Sequence, residues 1–194
     1  AGSAGCVLAN RLSEDRATQV LLVESGPPDN NPLIDIPRAV PRLLSAGSDH
    51  ISIYRVSPGG NRPPAFWVKG RGIGGSSSVN GMIYVRGHPA DYDGWRQLGC
   101  EGWGWDSMAA RFAELEDHEL GAGDGRGTGG PLEVTLYPSG DPFCEAILDA
   151  AEATGTPRVE DINHAPEGGF GYQPCTIRRG RRHSAARAFL DPVR

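Results

Sequence analysis

Gly2-Ser3-Ala4-Gly5-Cys6-Val7-Leu8-Ala9-Asn10-Arg11-Leu12 leads, after a polar joint, into Gln19-Val20-Leu21-Leu22-Val23-Glu24. Ala4, Val7, Leu8 and Leu12 recur at helical spacing, which predicts an amphipathic helix over 3–12. The run 20–23 is short, apolar and bounded by polar residues, which predicts a buried strand. Gly2 and Gly5 take the second and third places of a G-x-G-x-x-G turn whose first glycine would stand one position before Ala1. In such a turn the second glycine lets backbone approach a pyrophosphate, and the third lets the helix pack close to the sheet. The phosphates then rest on free N–H groups at the positive end of the helix. Glu24, at the end of the apolar run, stands where a carboxylate hydrogen-bonds a ribose. Helix, strand and terminal acid in this order predict a dinucleotide site on an α/β domain, without choosing between FAD and a nicotinamide.

Beyond Glu24, turn clusters alternate with short periodic segments. Gly26, Pro27 and Pro28 make 25–31 a loop. A short helix is expected at 38–44 and strands at 51–56 and 66–68, and a helix could open at Ser76. Helices are expected at 91–98 and at 106–115, the second capped by Asp106, with a polar glycine-rich loop at 117–130. A strand at 132–136 precedes a helix at 141–154 with Asp141 as cap and Pro142 in its first position, and Ser184 caps a last helix to Leu190.

The 194 residues suffice for one domain, or one and part of another. No stretch approaches the ~20 apolar residues of a membrane span, so no integral membrane segment is expected. The net charge of −5 argues against a nucleic-acid surface, and Arg178-Arg179-Gly180-Arg181-Arg182 reads as a solvated turn. Lys69 is the only lysine among 19 basic residues, the codon signature of a high-GC bacterial genome. The four cysteines lie far apart with no C-x-x-C, which fits neither a zinc site nor a disulfide framework and makes a reducing cytoplasm the expected location. Trp95, Trp103 and Trp105 read as inter-helix packing. Asp91 and Asp93 suit the positive end of a helix, and no metal is expected. Both ends read as those of a fragment, entered in mid-motif at Ala1 and left just past a helix at Arg194.

Lys69-Gly70-Arg71-Gly72-Ile73-Gly74-Gly75-Ser76-Ser77-Ser78-Val79-Asn80-Gly81-Met82-Ile83-Tyr84 is the most informative stretch. Paired glycines and three serines offer N–H groups and hydroxyls to phosphate. Asn80-Gly81 sets an amide beside a residue with no Cβ, which suits close approach to a flat ring. The apolar anchors Ile73, Val79, Met82 and Ile83 speak against a flexible linker.

The stretch 70–93, GRGIGGSSSVNGMIYVRGHPADYD, resembles the first signature of the glucose–methanol–choline (GMC) flavoprotein oxidoreductases. AGSAGCVLANRLSED, VLLVESG, DYDGW, GWGWD, GPLEV and GRRHSAARAFL extend the resemblance, in the choline dehydrogenase-like branch, over essentially the whole chain. It implies an incomplete Rossmann-like FAD-binding domain at 1–130, lacking its first strand, and the start of an α+β substrate domain at 131–194. It implies FAD, with Glu24 on the adenosine ribose, Gly2, Ser3, Ala4 and Gly5 on the pyrophosphate, Ser76, Asn80, Gly81, Met82 and Ile83 against the flavin, and Arg71 and Gly75 also binding the cofactor. Val79 stands where some members bond a histidine to the ring, so the cofactor is expected to be non-covalent. Gly81 stands where some oxidases place a serine, which favours a dehydrogenase. The implied partners are a small alcohol, choline or another primary alcohol, and an electron acceptor. The family's proton-abstracting histidine lies near the C-terminus of a longer chain. No catalytic residue is therefore assigned, and His50, His88, His118, His164 and His183 are read as surface or capping residues. A non-catalytic nucleotide-binding module and a nicotinamide-dependent dehydrogenase are the rival readings. The incomplete phosphate turn counts against the first, and the 70–84 loop against the second.

Overall fold

The computed structural model describes residues 1–123, 125–165 and 167–194. In chain order its elements are α1 (Ser3–Leu12), α2 (Pro32–Asp35), α3 (Val40–Leu43), β1 (Ile51–Val56), β2 (Ala65–Gly70), α4 (Pro89–Gln97), α5 (Trp105–Leu115), β3 (Glu116–His118), β4 (Leu132–Leu136), α6 (Pro142–Ala153), β5 (Pro174–Cys175), β6 (Ile177–Arg178) and β7 (Arg181–Arg182). They group into two units, residues 1–82 with 177–194, and residues 83–176. The boundary expected at 130/131 falls inside the second unit.

In the first unit α1 forms where its periodicity predicts, but it buries Cys6 and Ala9 and leaves Leu8 and Leu12 mostly exposed. Those small side chains let it lie close to the π-helical turn Ala186–Leu190, and Asn10 Nδ2 donates to Phe189 O at 2.8 Å. Ser184 Oγ accepts from Arg187 N at 3.3 Å, but the cap of that turn is Ala185, one residue after the expected Ser184. Ile34, Leu43, Ile51 and Val79 form a core cluster. β1 and β2 pair antiparallel, from Ile51 opposite Gly70 to Val56 opposite Ala65.

Three expectations are corrected here. The run 20–24 is in no ladder: Leu21 is 88% exposed and Val23 72%. A parallel strand depends on neighbours at both flanks, and among the described residues none pairs with it. The helix expected from Ser76 is only the 3₁₀ turn Gly75–Ser78, because Gly74 at φ +86° precedes it and Met82 at φ +60° follows. Arg182 does not lie in a solvated turn. β6 and β7 make a hairpin around Arg179 and Gly180, both at positive φ, and Arg182 is buried.

In the second unit β3 runs parallel to β4, and β5 pairs antiparallel with β4. α6 starts on Asp141, whose Oδ1 accepts from Phe143 N and Cys144 N, with Pro142 in its first position. His88 caps α4 by accepting from Ala90 N. The cap of α5 is Gly104, not Asp106, and Asp93 Oδ1 accepts from Trp105 N at 3.2 Å. Tyr92 packs against Trp95, Trp105 and Phe112 with ring centroids 5.2, 5.6 and 6.1 Å away. The loop expected at 117–130 begins inside β3, and Asp124 lies outside the described residues. Across both units the class is one of mixed helices and strands, and the described residues form no doubly wound parallel sheet. No helix among them is long and apolar enough to cross a membrane.

Candidate functional site

Gly2 caps α1 through extended backbone without a side-chain hydrogen bond, and the first turn holds no acidic residue. The N–H groups of Ser3, Ala4 and Gly5 find no acceptor among the described residues, and Ser3 and Ala4 are exposed. Such an end attracts an anion through unpaired donors and the helix dipole.

The loop 70–80 is laid against this end. Gly74 N donates to Ala1 O at 2.8 Å. A Cβ on Gly75 would stand 2.7 Å from Gly2 Cα. Neighbouring backbone is as tight, since a Cβ on Gly26 would stand 2.3 Å from Gly72 N and one on Gly70 2.4 Å from Gly75 O. The glycines at 26, 70 and 75 are thus required by close approach of backbone to backbone. Gly5 is not, since its Cβ would meet Leu22 Cδ1 at an ordinary 3.6 Å. Gly2 and Gly81 face open space, with nothing within 4 Å.

Glu24 ties the two segments. Its Oε1 accepts from Gly26 N at 2.8 Å and Gly72 N at 3.1 Å, and its Oε2 lies 2.8 Å from Ala1 N. Sequence reading assigns this carboxylate to a ribose. The structure adds that it clamps the loops at 26 and 72 while acceptor capacity on Oε2 remains.

The serines divide. Ser77 Oγ donates to Gly74 O and Ser78 Oγ to Ile73 O, so both are internal stitches rather than groups offered to a ligand. Ser76 Oγ accepts from Gly70 N and is exposed. Arg71 is exposed, its Nη2 donating to Ser25 O at 3.0 Å. Asn80 is exposed at the end of the loop, Gly81 follows it, and Met82 is buried. Gly2, Ser3, Ala4, Gly5, Glu24, Arg71, Gly75, Ser76, Asn80, Gly81 and Met82 all fall in the first unit, and Ile83 opens the second.

Two of the five histidines depart from the surface reading. His118 and His183 are buried, and burial lowers both below the ordinary imidazole value. His50 Nε2 is 2.9 Å from Asn31 Nδ2. His164 Nδ1 is 2.8 Å from Asp161 Oδ2, with Arg86 Nη1 3.4 Å from its other ring nitrogen. Sequence reading also missed a buried network in the second unit. Arg86 Nη2 and Nε donate to Glu116 Oε1, as does Tyr84 O–H at 2.7 Å.

An unshielded helix end, a close-packed glycine loop and a carboxylate between them fit a dinucleotide. Comparison with known proteins agrees. The family model described as GMC oxidoreductase matches residues 1–194. Human mitochondrial choline dehydrogenase is 42% identical over 201 residues, covering 100% of this chain and 34% of that protein. The Pseudomonas putida alcohol dehydrogenase [acceptor] is 40% identical over 196 residues, covering 100% of this chain and 35% of that one. The crystal structure of pyridoxine 4-oxidase from Mesorbium loti superposes with a TM-score of 0.87 at 41% identity, covering 97% of this chain and 38% of that one. The chain spans about a third of the length of the curated relatives it matches.

Proposed function

The chain belongs to the GMC oxidoreductases, and on that premise we propose that it is the N-terminal FAD-binding portion of a flavoprotein that oxidises a primary alcohol by hydride transfer. The observation that carries the reading is the seating of the loop at Gly74–Gly75 on the N-terminus of α1, which no side chain caps. The cofactor is FAD. Residues 2–5 hold its pyrophosphate on the free N–H groups of α1, Glu24 takes the adenosine ribose, Ser76 and Asn80–Ile83 lie against the flavin, and Arg71 and Gly75 complete the cofactor-binding set. When bound, FAD supplies the hydride acceptor, and the protein supplies orientation and electrostatics. Val79 offers no nucleophile and is buried with Ile34, Leu43 and Ile51, which supports non-covalent binding.

None of the five histidines is assigned as the base. His88 is a cap, His118 and His183 are buried, and His50 and His164 have side-chain partners. The proton-abstracting histidine is supplied by residues other than these 194. Choline or a similar small primary alcohol is the proposed substrate, with an electron acceptor completing the cycle in the full-length enzyme. The four cysteines are free thiols, which supports a reducing compartment such as the cytoplasm.

The test is to purify the full-length protein, record its visible spectrum and follow dye reduction by choline and other primary alcohols against a flavin-only blank. Oxidised-flavin bands and substrate-dependent reduction are expected. Acid denaturation should release all the flavin as FAD into the supernatant. A colourless protein that binds no flavin rejects the reading, and yellow washed pellets reject non-covalent attachment.

A further inference from the structure

Arg182, at the end of β7, is 2% exposed, yet among the described residues no carboxylate lies in ion-pair contact with it. Buried guanidinium groups ordinarily pair with an acid, because leaving the charge uncompensated is costly. This one spends its donors on main-chain carbonyls and one amide. Its Nε donates to Ile34 O at 2.8 Å, and its Nη1 to Ser77 O at 3.1 Å, Asn80 O at 2.7 Å and Asn80 Oδ1 at 2.8 Å. Nη2 has no acceptor among the described residues. Burial pushes the guanidinium down to about 10, with Asp35 opposing through space, so it stays cationic near neutrality.

The polarity of the Asn80 amide follows from these bonds. Arginine offers donors only, and Met82 N also donates to Asn80 Oδ1, at 3.1 Å. Two converging donors require the carbonyl oxygen to face inward. Nδ2 is therefore turned away from them, on an exposed residue, with no acceptor among the described residues. The same oxygen holds Met82 at φ +60°, a conformation rare outside glycine.

We propose that Arg182 is a positioning residue of the flavin site, locking the Asn80 amide oxygen-inward so that the loop presents a fixed N–H donor to an acceptor atom of the bound ring. The proposal rests on the FAD reading above and assigns a role to the buried arginine, which that reading leaves unused.

The test uses the full-length protein and FAD titration. Asn80→Ala should raise the FAD dissociation constant about tenfold, the scale of one lost hydrogen bond. Arg182→Met should do the same, and the double variant should be no weaker than either single, because the two residues act in series. Unchanged affinity in Arg182→Met, or effects that multiply in the double variant, overturns the proposal. Asn80→Asp is the second arm. Its carboxylate gives Arg182 the charge partner it lacks, so Tm should hold or rise. FAD affinity should nevertheless fall at least about tenfold, because the outward donor becomes an acceptor. An aspartate variant that melts lower, or binds FAD as tightly as the parent, overturns the proposal, and this arm decides alone if Arg182→Met does not fold. A parent protein that takes up no flavin rejects the cofactor reading itself, and the proposal with it.

Discussion

A Cβ on Gly75 would stand 2.7 Å from Gly2 Cα, on backbone already at φ +54°, whereas a Cβ on Gly81 would meet nothing within 4 Å. The fold itself therefore demands glycine at 75 and does not demand it at 81. If Gly81 is needed, the need comes from a ligand. Gly75→Ala should separate the loop from α1 and lower Tm by several degrees, since positive-φ strain and a main-chain clash each cost on the order of 1–3 kcal/mol. Gly81→Ala should leave Tm unchanged and weaken FAD binding. Thermal melts of the full-length apoprotein, paired with FAD titration, check both. A Gly81→Ala variant that melts like Gly75→Ala would show that the open space beside residue 81 is not real. The carboxylate of Glu24 combines both kinds of demand, because it clamps Gly26 and Gly72 and keeps acceptor capacity for a ribose.

Elements that formed as read carry their signals locally. α6 has Asp141 and Pro142 at its start, and β4 alternates over 132–136. What escaped the reading depends on partners distant in sequence. The run 20–24 has strand composition but no ladder, and composition cannot supply neighbours. Arg182 sits among charged residues that look solvated, yet its Nε bonds Ile34 O, 148 residues away. The placement of Gly2 beside Gly75 was implied only by the cofactor that the family resemblance assigns to both segments, and the stitching by Ser77 and Ser78 depends on where the loop folds back on Ile73 and Gly74. The histidines ending β3 and following β7 show the same dependence. Burial lowers His118, against the pull of Asp161, and lowers His183, where Arg178 adds to the effect. A folded-state value below 6.5 means the unfolded chain binds more protons as pH drops through 6.5. The stability from keeping these rings neutral is thus complete above 6.5 and is lost as pH falls toward their lowered values. Tm of the full-length protein should fall between about pH 7 and about pH 5. His118→Gln or His183→Gln should each flatten that slope, and a Tm flat across the interval in the parent would contradict the assignment.

On the scale of the molecule, the 194 residues leave large apolar side chains uncovered. Leu21 and Val23 are 88% and 72% exposed, and on the β1–β2 hairpin Ile53, Tyr54, Phe66, Trp67 and Val68 are all exposed. Successive side chains of a strand face opposite ways, so neither face of that hairpin is fully covered, and an isolated two-stranded ribbon is marginal in water. Residues 1–194 expressed alone should therefore associate and retain FAD weakly. They should also fail to oxidise alcohols, for a separate reason. The Asp161–His164 pair has the look of a base and its orienting acid, but Arg86 Nη1 lies 3.4 Å from the ring nitrogen that would have to take a proton. His118 and His183 are buried, and His88 Nδ1 accepts from the backbone of α4. Loss of a general base typically costs about 10²–10⁴-fold in rate even with every other group in place. With excess FAD and choline or simple primary alcohols, dye reduction by the isolated segment should match a flavin-only blank. Substrate-dependent reduction well above that blank would place the base inside these 194 residues, and His164→Ala would then show whether the Asp161 pair supplies it.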